Sequence, residues 1–191
     1  MIETIKEKAL KDGVPIIKDE GLSFLLDFIK EHNCKDILEL GTAVGYSSIN
    51  MAKISNDIHI DTIEKVEDMY TQAVKNIKDN DLTNQITLHF MPIEEFKTNK
   101  MYDLIFVDAA KAQYGKYMEQ FLPNLKENGY MVFDNMVFHG LIYKVDEIES
   151  KNLKHLVSKI VRFRELVKND NRFDIIEYDE IGDGILVLCR R

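Results

Sequence analysis

The sequence predicts an α/β fold: one domain on a mostly parallel seven-stranded sheet that closes with an antiparallel C-terminal hairpin. Three observations lead there. Short apolar segments of β type alternate with helical stripes as far as Asp134, the order of parallel βαβ units. The chain then changes character, to one long helix and two strands joined across Gly182-Asp183-Gly184, the usual chemistry of a hairpin turn. No repeat, low-complexity tract or Pro/Gly/Ser-rich linker interrupts the 191 residues, so a single domain over 1–191 is expected.

Each element has its own signal. Leu22, Leu25, Leu26 and Ile29 stand at i, i+3, i+4 and i+7, the stripe of an amphipathic helix over Gly21 to Glu31. Asp36 to Leu40 reads as a short buried strand. After a glycine-bearing turn come a helix over Ser47 to Ile54 and a strand over Ile58 to Glu64. A second alternation follows: helix Val66 to Asn80, strands Ile86 to Phe90 and Tyr102 to Asp108, helix Tyr114 to Leu122, strand Tyr130 to Asp134. Leu153, Leu156, Val157, Ile160, Val161 and Leu166 mark the apolar side of a helix over Asn152 to Lys168. Phe173 to Tyr178 and Ile185 to Cys189 are the closing strands.

Composition excludes several classes. Apolar residues make up 45% and charged residues 30%, the balance of a globular chain with a real core and not of a disordered one. The longest apolar runs, such as Leu104-Ile105-Phe106-Val107, are too short to cross a bilayer, and Met1 to Lys11 alternates charge with hydrophobes and has no signal-peptide core. A cytoplasmic protein with no membrane partner is expected. Cys34 and Cys189, alone and far apart, suit neither a disulfide framework nor a thiolate zinc site. The net charge of −8 is uneven: from Lys151 to Arg172 seven Lys/Arg face only Glu165 and Asp170. That stretch is either a contact surface for a polyanion or a solvated helix face.

In open α/β sheets the ligand lies beyond the carboxyl ends of the strands, at the switch in strand order. The residues that end strands are therefore the candidates. The first strand runs into Glu39-Leu40-Gly41-Thr42-Ala43-Val44-Gly45-Tyr46-Ser47, where two glycines let backbone approach a ligand at a helix start. Glu64 ends the second strand, where an acid would hold a nucleotide ribose by its hydroxyls. The glycine spacing differs from the dinucleotide G-x-G-x-x-G pattern, which argues against NAD.

Those two segments, with Val107-Asp108-Ala109-Ala110-Lys111 and Asp134-Asn135, resemble in order the motifs of the cation-dependent class I O-methyltransferases. These are the S-adenosylmethionine enzymes similar to catechol and caffeoyl-CoA O-methyltransferases. The likeness extends from Val14 to Arg190 and implies a Rossmann-like class I methyltransferase domain. It also implies that Glu39, Gly41, Gly45, Tyr46, Ser47 and Asp108 line the S-adenosylmethionine site, that Glu64 holds the ribose, and that Ile16 or Ile17 closes the pocket. Where such relatives carry Gly-Asp-Ala before the adenine, this chain has Phe90-Met91-Pro92. Pro92 is counted as a cofactor contact there, although a loop-shaping proline is the plainer reading.

Asp108 ends one strand and Asp134 and Asn135 another, so the fold is expected to gather two carboxylates and an amide oxygen. That is a hard oxygen donor set suited to Mg²⁺, or Mn²⁺, with open positions left over. The plain alternative is that they are caps and turn formers. Lys111 lies three residues past Asp108 and is the candidate to take the proton of an acceptor hydroxyl. His139 is a loop histidine that could face the acceptor.

Chelation needs two adjacent oxygens, as in a catechol or a 5-hydroxyuridine. Within the family the resemblance is greatest to the bacterial tRNA 5-hydroxyuridine methyltransferases, on Asp108 to Tyr114 and the basic helix Lys151 to Arg172. It implies a tRNA anticodon loop as partner, met by that helix, and a homodimer. Where relatives often add a covering helix before Val14-Pro15, the segment here is expected either to leave an open mouth suited to a bulky acceptor or to be covered by a partner subunit.

Overall fold

The computed structural model describes residues 2–191; Met1, part of the expected 1–191 domain, lies outside them. Seven strands are present: β1 (Asp36–Leu40), β2 (His59–Glu64), β3 (Ile86–Phe90), β4 (Tyr102–Val107), β5 (Leu125–Phe133), β6 (Phe173–Tyr178) and β7 (Ile185–Arg190). They form one sheet in the order β3-β2-β1-β4-β5-β7-β6. Only β7 runs against the rest, pairing antiparallel with both β5 and β6. The predicted sheet and hairpin are therefore present. The helices are α1 (Ile2–Lys11), α2 (Asp19–Glu31), α3 (Tyr46–Ala52), α4 (Glu67–Asp79), α5 (Tyr114–Phe121) and α6 (Lys151–Lys168).

The sheet is buried on both faces, because strand alternation feeds two apolar layers. Ile37, Leu104, Phe106, Val132 and Val187 join the layer that takes Leu25 and Ile29 of α2 and Ile49 of α3. Leu38, Leu40, Ile105, Val107 and Phe133 turn the other way, onto Tyr117 and Phe121 of α5 and Ile160 and Phe163 of α6. α2 carries Asp19 and Glu20 in its first turn and Lys30 in its last, complementing its dipole. Ser150 caps α6 by accepting the Leu153 N–H at 3.4 Å.

Two elements differ from the sequence expectation. α1 is a formed helix, unmarked by the sequence reading, that buries Ile5 and Ala9 beside α3. β5 begins at Leu125 and not at Tyr130; its polar Lys126-Glu127-Asn128-Gly129 stretch reads as a turn and stands out of register with β4, between the Tyr102–Leu125 and Leu104–Tyr130 pairs. Among the described residues no helix is long and apolar enough to cross a membrane.

Chain order places β2 and β3 on one side of β1 and β4 on the other, so the switch point falls between the ends of β1 and β4. Gly41 makes the two ends meet. Its φ is +101°, and a Cβ there would run into the Asp108 carbonyl oxygen.

Candidate active site

A cavity of about 660 Å³ opens over that switch point. The Val14–Lys18 strap, Gly41 to Ala43, and the start of α3 at Tyr46 and Ser47 wall one side. Glu64 closes one end; Asp108, Lys111, Asp134 and Asn135 gather at the other. Of the residues expected in a cofactor and metal site, Ile17, Gly41, Tyr46, Ser47, Glu64, Asp108, Lys111, Asp134 and Asn135 share this one cavity.

Three expected contacts do not line it. Glu39 lies fully buried beneath the floor, where its carboxyl accepts the hydroxyls of Ser47, Ser48 and Thr62. Burial pushes that carboxyl up to about 7 against the lowering by those three donors. Glu39 thus shapes the wall that carries Ser47. Gly45 precedes α3 with φ +81° and packs on Ala73. Pro92 leads into a short helical turn whose Ile93 and Glu94 reach the cavity instead.

Glu64 is fixed by backbone. Its Oε2 accepts the Ala43 N–H at 2.8 Å, and its Oε1 accepts those of Lys65 and Val66 at 2.9 and 2.8 Å. The acid is thereby oriented between the β1 and β2 loops.

At the other end, Asp134 is 3% exposed and its Oδ1 accepts the Asn135 N–H at 2.7 Å. Tyr114, fully buried, donates to the Asp134 carbonyl oxygen at 2.9 Å. Burial pushes Asp134 up to about 7, with repulsion from Asp108 next. Asp108 is also raised by burial, opposed by the Lys111 ammonium 3.9 Å from its Oδ1. Two neighbouring carboxyls, both driven toward neutrality, form a site that a cation would relieve. Among the described residues no cluster of three or more His, Cys, Asp or Glu stands ready for a metal. Beside the two carboxyls stands the Asn135 amide, at φ +59°.

Sequence reasoning missed Asp183. It is 5% exposed, lines the same cavity, and accepts from the His139 backbone and the Asn135 side chain. Its signal is an acid between two glycines, which reads simply as a turn. Lys18 of the strap, 3.8 Å from it, was likewise unmarked. His139 lines the mouth with its ring largely exposed.

The basic helix is less free than its composition suggests. Arg164 is buried and paired with Glu177 and Asp179; Lys168 meets Glu177, Arg172 meets Glu119 and Asp170, and Lys154 meets Asp146. Lys151, Lys159 and Arg162 are exposed and make no ion pair among the described residues.

A match to the O-methyltransferase family spans residues 2–191. The chain is 33% identical over 197 residues to a caffeoyl-CoA O-methyltransferase of Populus kitakamiensis, covering 98% of this chain and 83% of that one. It is 30% identical to the tapetum-specific methyltransferase 1 of Arabidopsis thaliana, over 94% and 78% of the two chains. Among solved structures, a Staphylococcus aureus protein provisionally named a caffeoyl-CoA O-methyltransferase superposes with a TM-score of 0.94 at 35% identity, over 100% and 92% of the chains. A Bacillus cereus O-methyltransferase in complex with S-adenosylhomocysteine has the same fold, with a TM-score of 0.85 at 23% identity over 100% and 90%. The chain belongs to the S-adenosylmethionine-dependent O-methyltransferases of the caffeoyl-CoA type.

Proposed function

We propose that this enzyme is a Mg²⁺- or Mn²⁺-dependent O-methyltransferase that acts on one of two adjacent oxygens, and that its acceptor is 5-hydroxyuridine at the tRNA wobble position. The observation that carries the chemistry is the meeting of Asp108, Asp134, Asn135 and Lys111 at one end of the cavity, with Glu64 at the other. Asp108, Asp134 and Asn135 would hold the cation, which when bound polarises the acceptor hydroxyl and eases its ionisation. Lys111 Nζ, once it has given up its own proton and stands as the neutral amine, takes up the hydroxyl proton as the oxygen bonds to the methyl carbon and the carbon–sulfur bond breaks, leaving S-adenosylhomocysteine. Glu64 anchors the ribose end, and Ile17 with the strap keeps water from the reacting centre.

The RNA acceptor is supported by α6. Lys151, Lys159 and Arg162 lie eight and three residues apart, on one exposed face, where they can meet phosphates. A wobble base can be splayed from its loop into a pocket. A second reading, a small catechol-like or vicinal-hydroxyl acceptor, is favoured by the caffeoyl-CoA enzymes among the relatives. The test is to incubate the enzyme, S-adenosylmethionine and Mg²⁺ with tRNA bearing 5-hydroxyuridine and, separately, with a catechol, and to analyse products by mass. A methoxylated nucleoside supports the tRNA reading. Product from the catechol alone transfers the same chemistry to a small acceptor and returns α6 to a solvated face. A homodimer is part of the proposal; sedimentation at the mass of one chain would remove it.

A further inference from the structure

Asp183 is a carboxylate of the cavity that this chemistry leaves unused. The β6–β7 turn places it under the loop that follows β5. The Val137 N–H donates to the Asp183 carbonyl at 2.8 Å and the Met136 N–H to that of Gly184 at 2.9 Å. Gly184 permits this approach, with φ +84° and no room for a Cβ against Val137. The Asp183 side chain then turns inward. Its Oδ1 accepts the His139 backbone N–H at 2.7 Å, and its Oδ2 lies 3.3 Å from Asn135 Nδ2. The Lys18 ammonium is 3.8 Å from Oδ1. An ionised carboxylate only accepts hydrogen bonds, so the Asn135 amide must offer it the NH₂ group. The flipped amide would set two oxygens against each other in a buried place.

We infer that Asp183 is a positioning residue: it locks the Asn135 amide with its nitrogen toward the turn and its oxygen left for the cation that Asp108 and Asp134 would share. This rests on the metal reading above. The backbone holds Asn135 at φ +59° but leaves the last side-chain torsion open, and only the Asp183 contact decides which amide atom faces the donor set. A partner that orients a ligand in this way commonly governs affinity as strongly as the ligand does.

The experiment is Mn²⁺ titration of the purified full chain by electron paramagnetic resonance, with S-adenosylhomocysteine affinity measured by calorimetry on the same samples. Asp183→Asn should weaken Mn²⁺ binding roughly 10–100-fold while leaving S-adenosylhomocysteine affinity unchanged. Wild-type Mn²⁺ affinity in that variant overturns the inference and leaves the metal reading standing. Absence of Mn²⁺ binding by the wild-type chain removes the metal reading and the inference with it. Should Asp183→Asn lose S-adenosylhomocysteine as well, the exchange of the pair decides. Asn135→Asp alone sets two carboxylates together, whereas Asn135→Asp with Asp183→Asn restores a donor and an acceptor with the polarity reversed. The double variant should recover at least roughly 10-fold in Mn²⁺ affinity over Asn135→Asp, although it carries one negative charge fewer. Recovery of none overturns the inference.

Discussion

Glu39 is a buried acid whose only partners are three hydroxyls, and its protonation is tied to stability. Because burial raises its carboxyl to about 7, the folded state holds a proton there that the unfolded chain has already released near pH 5. Its contribution to stability is therefore greatest at low pH and falls as pH rises from the ordinary carboxylate range toward 7, by at most about 1.4 kcal/mol per unit. Glu39→Gln, which keeps the shape but cannot ionise, should flatten this slope and be more stable than wild type above pH 7. Urea melts at pH 6 and pH 8 would measure it; equal slopes in the two proteins would show that Glu39 does not titrate on folding. Lys111 is a different case, a side chain to which the proposed reaction gives a chemical task. Lys111→Met should lower kcat roughly 10²–10⁴-fold and leave S-adenosylhomocysteine affinity unchanged in calorimetry. Of the site residues, those that end strands were legible because topology alone brings them together. Asp183 was not, since a turn acid between glycines carries no mark of what lies 3.3 Å away. Neither was the placement of Glu39, whose burial depends on three hydroxyls from α3 and β2.

Among the elements, α6 joins two roles that the sequence could not separate. Periodicity located the helix within a residue, yet gave no view of which cations already had partners. Arg164 donates to the Met136 carbonyl at 3.2 Å and to Asp179 at 2.9 Å, tying the loop after β5 to the β6–β7 turn. Replacing it with Met would leave Asp179 without a counter-charge and Glu177 with Lys168 alone. The cost should be roughly 2–3 kcal/mol in urea unfolding, less than the 3–5 of a fully buried pair because both acids keep some solvent contact. Lys159→Glu and Arg162→Glu should instead leave the melt unchanged. Each should make the salt dependence of tRNA binding shallower by about one unit in the log–log slope, measured by filter binding. An unchanged slope would take this face out of the RNA surface. α1 and the start of β5 escaped the sequence reading for opposite reasons. α1 buries only Ile5 and Ala9, too thin a stripe to stand out, and β5 opens with residues that favour a turn.

Across the whole molecule, the order β3-β2-β1-β4-β5-β7-β6 explains why residues from four distant segments share one cavity. The strand order reverses beside β1, the close approach at Gly41 brings the β4 end against the β1 loop, and the antiparallel β7 returns the chain so that Asp183 reaches the same place. The alternation of strands and helices made this legible from the sequence, since each acid or glycine at a strand end falls on the carboxyl edge. Burial raises both Asp108 and Asp134 in this cavity, and the proposal gives the two a cation to share. The most direct measurement is methyl transfer from labelled S-adenosylmethionine to acceptor before and after EDTA, with S-adenosylhomocysteine affinity followed in parallel. The expected result is activity abolished by the chelator, restored by Mg²⁺ and absent in Asp134→Ala, with affinity for S-adenosylhomocysteine unchanged throughout. Full turnover in EDTA, or in Asp134→Ala, would contradict a cation held by Asp108, Asp134 and Asn135.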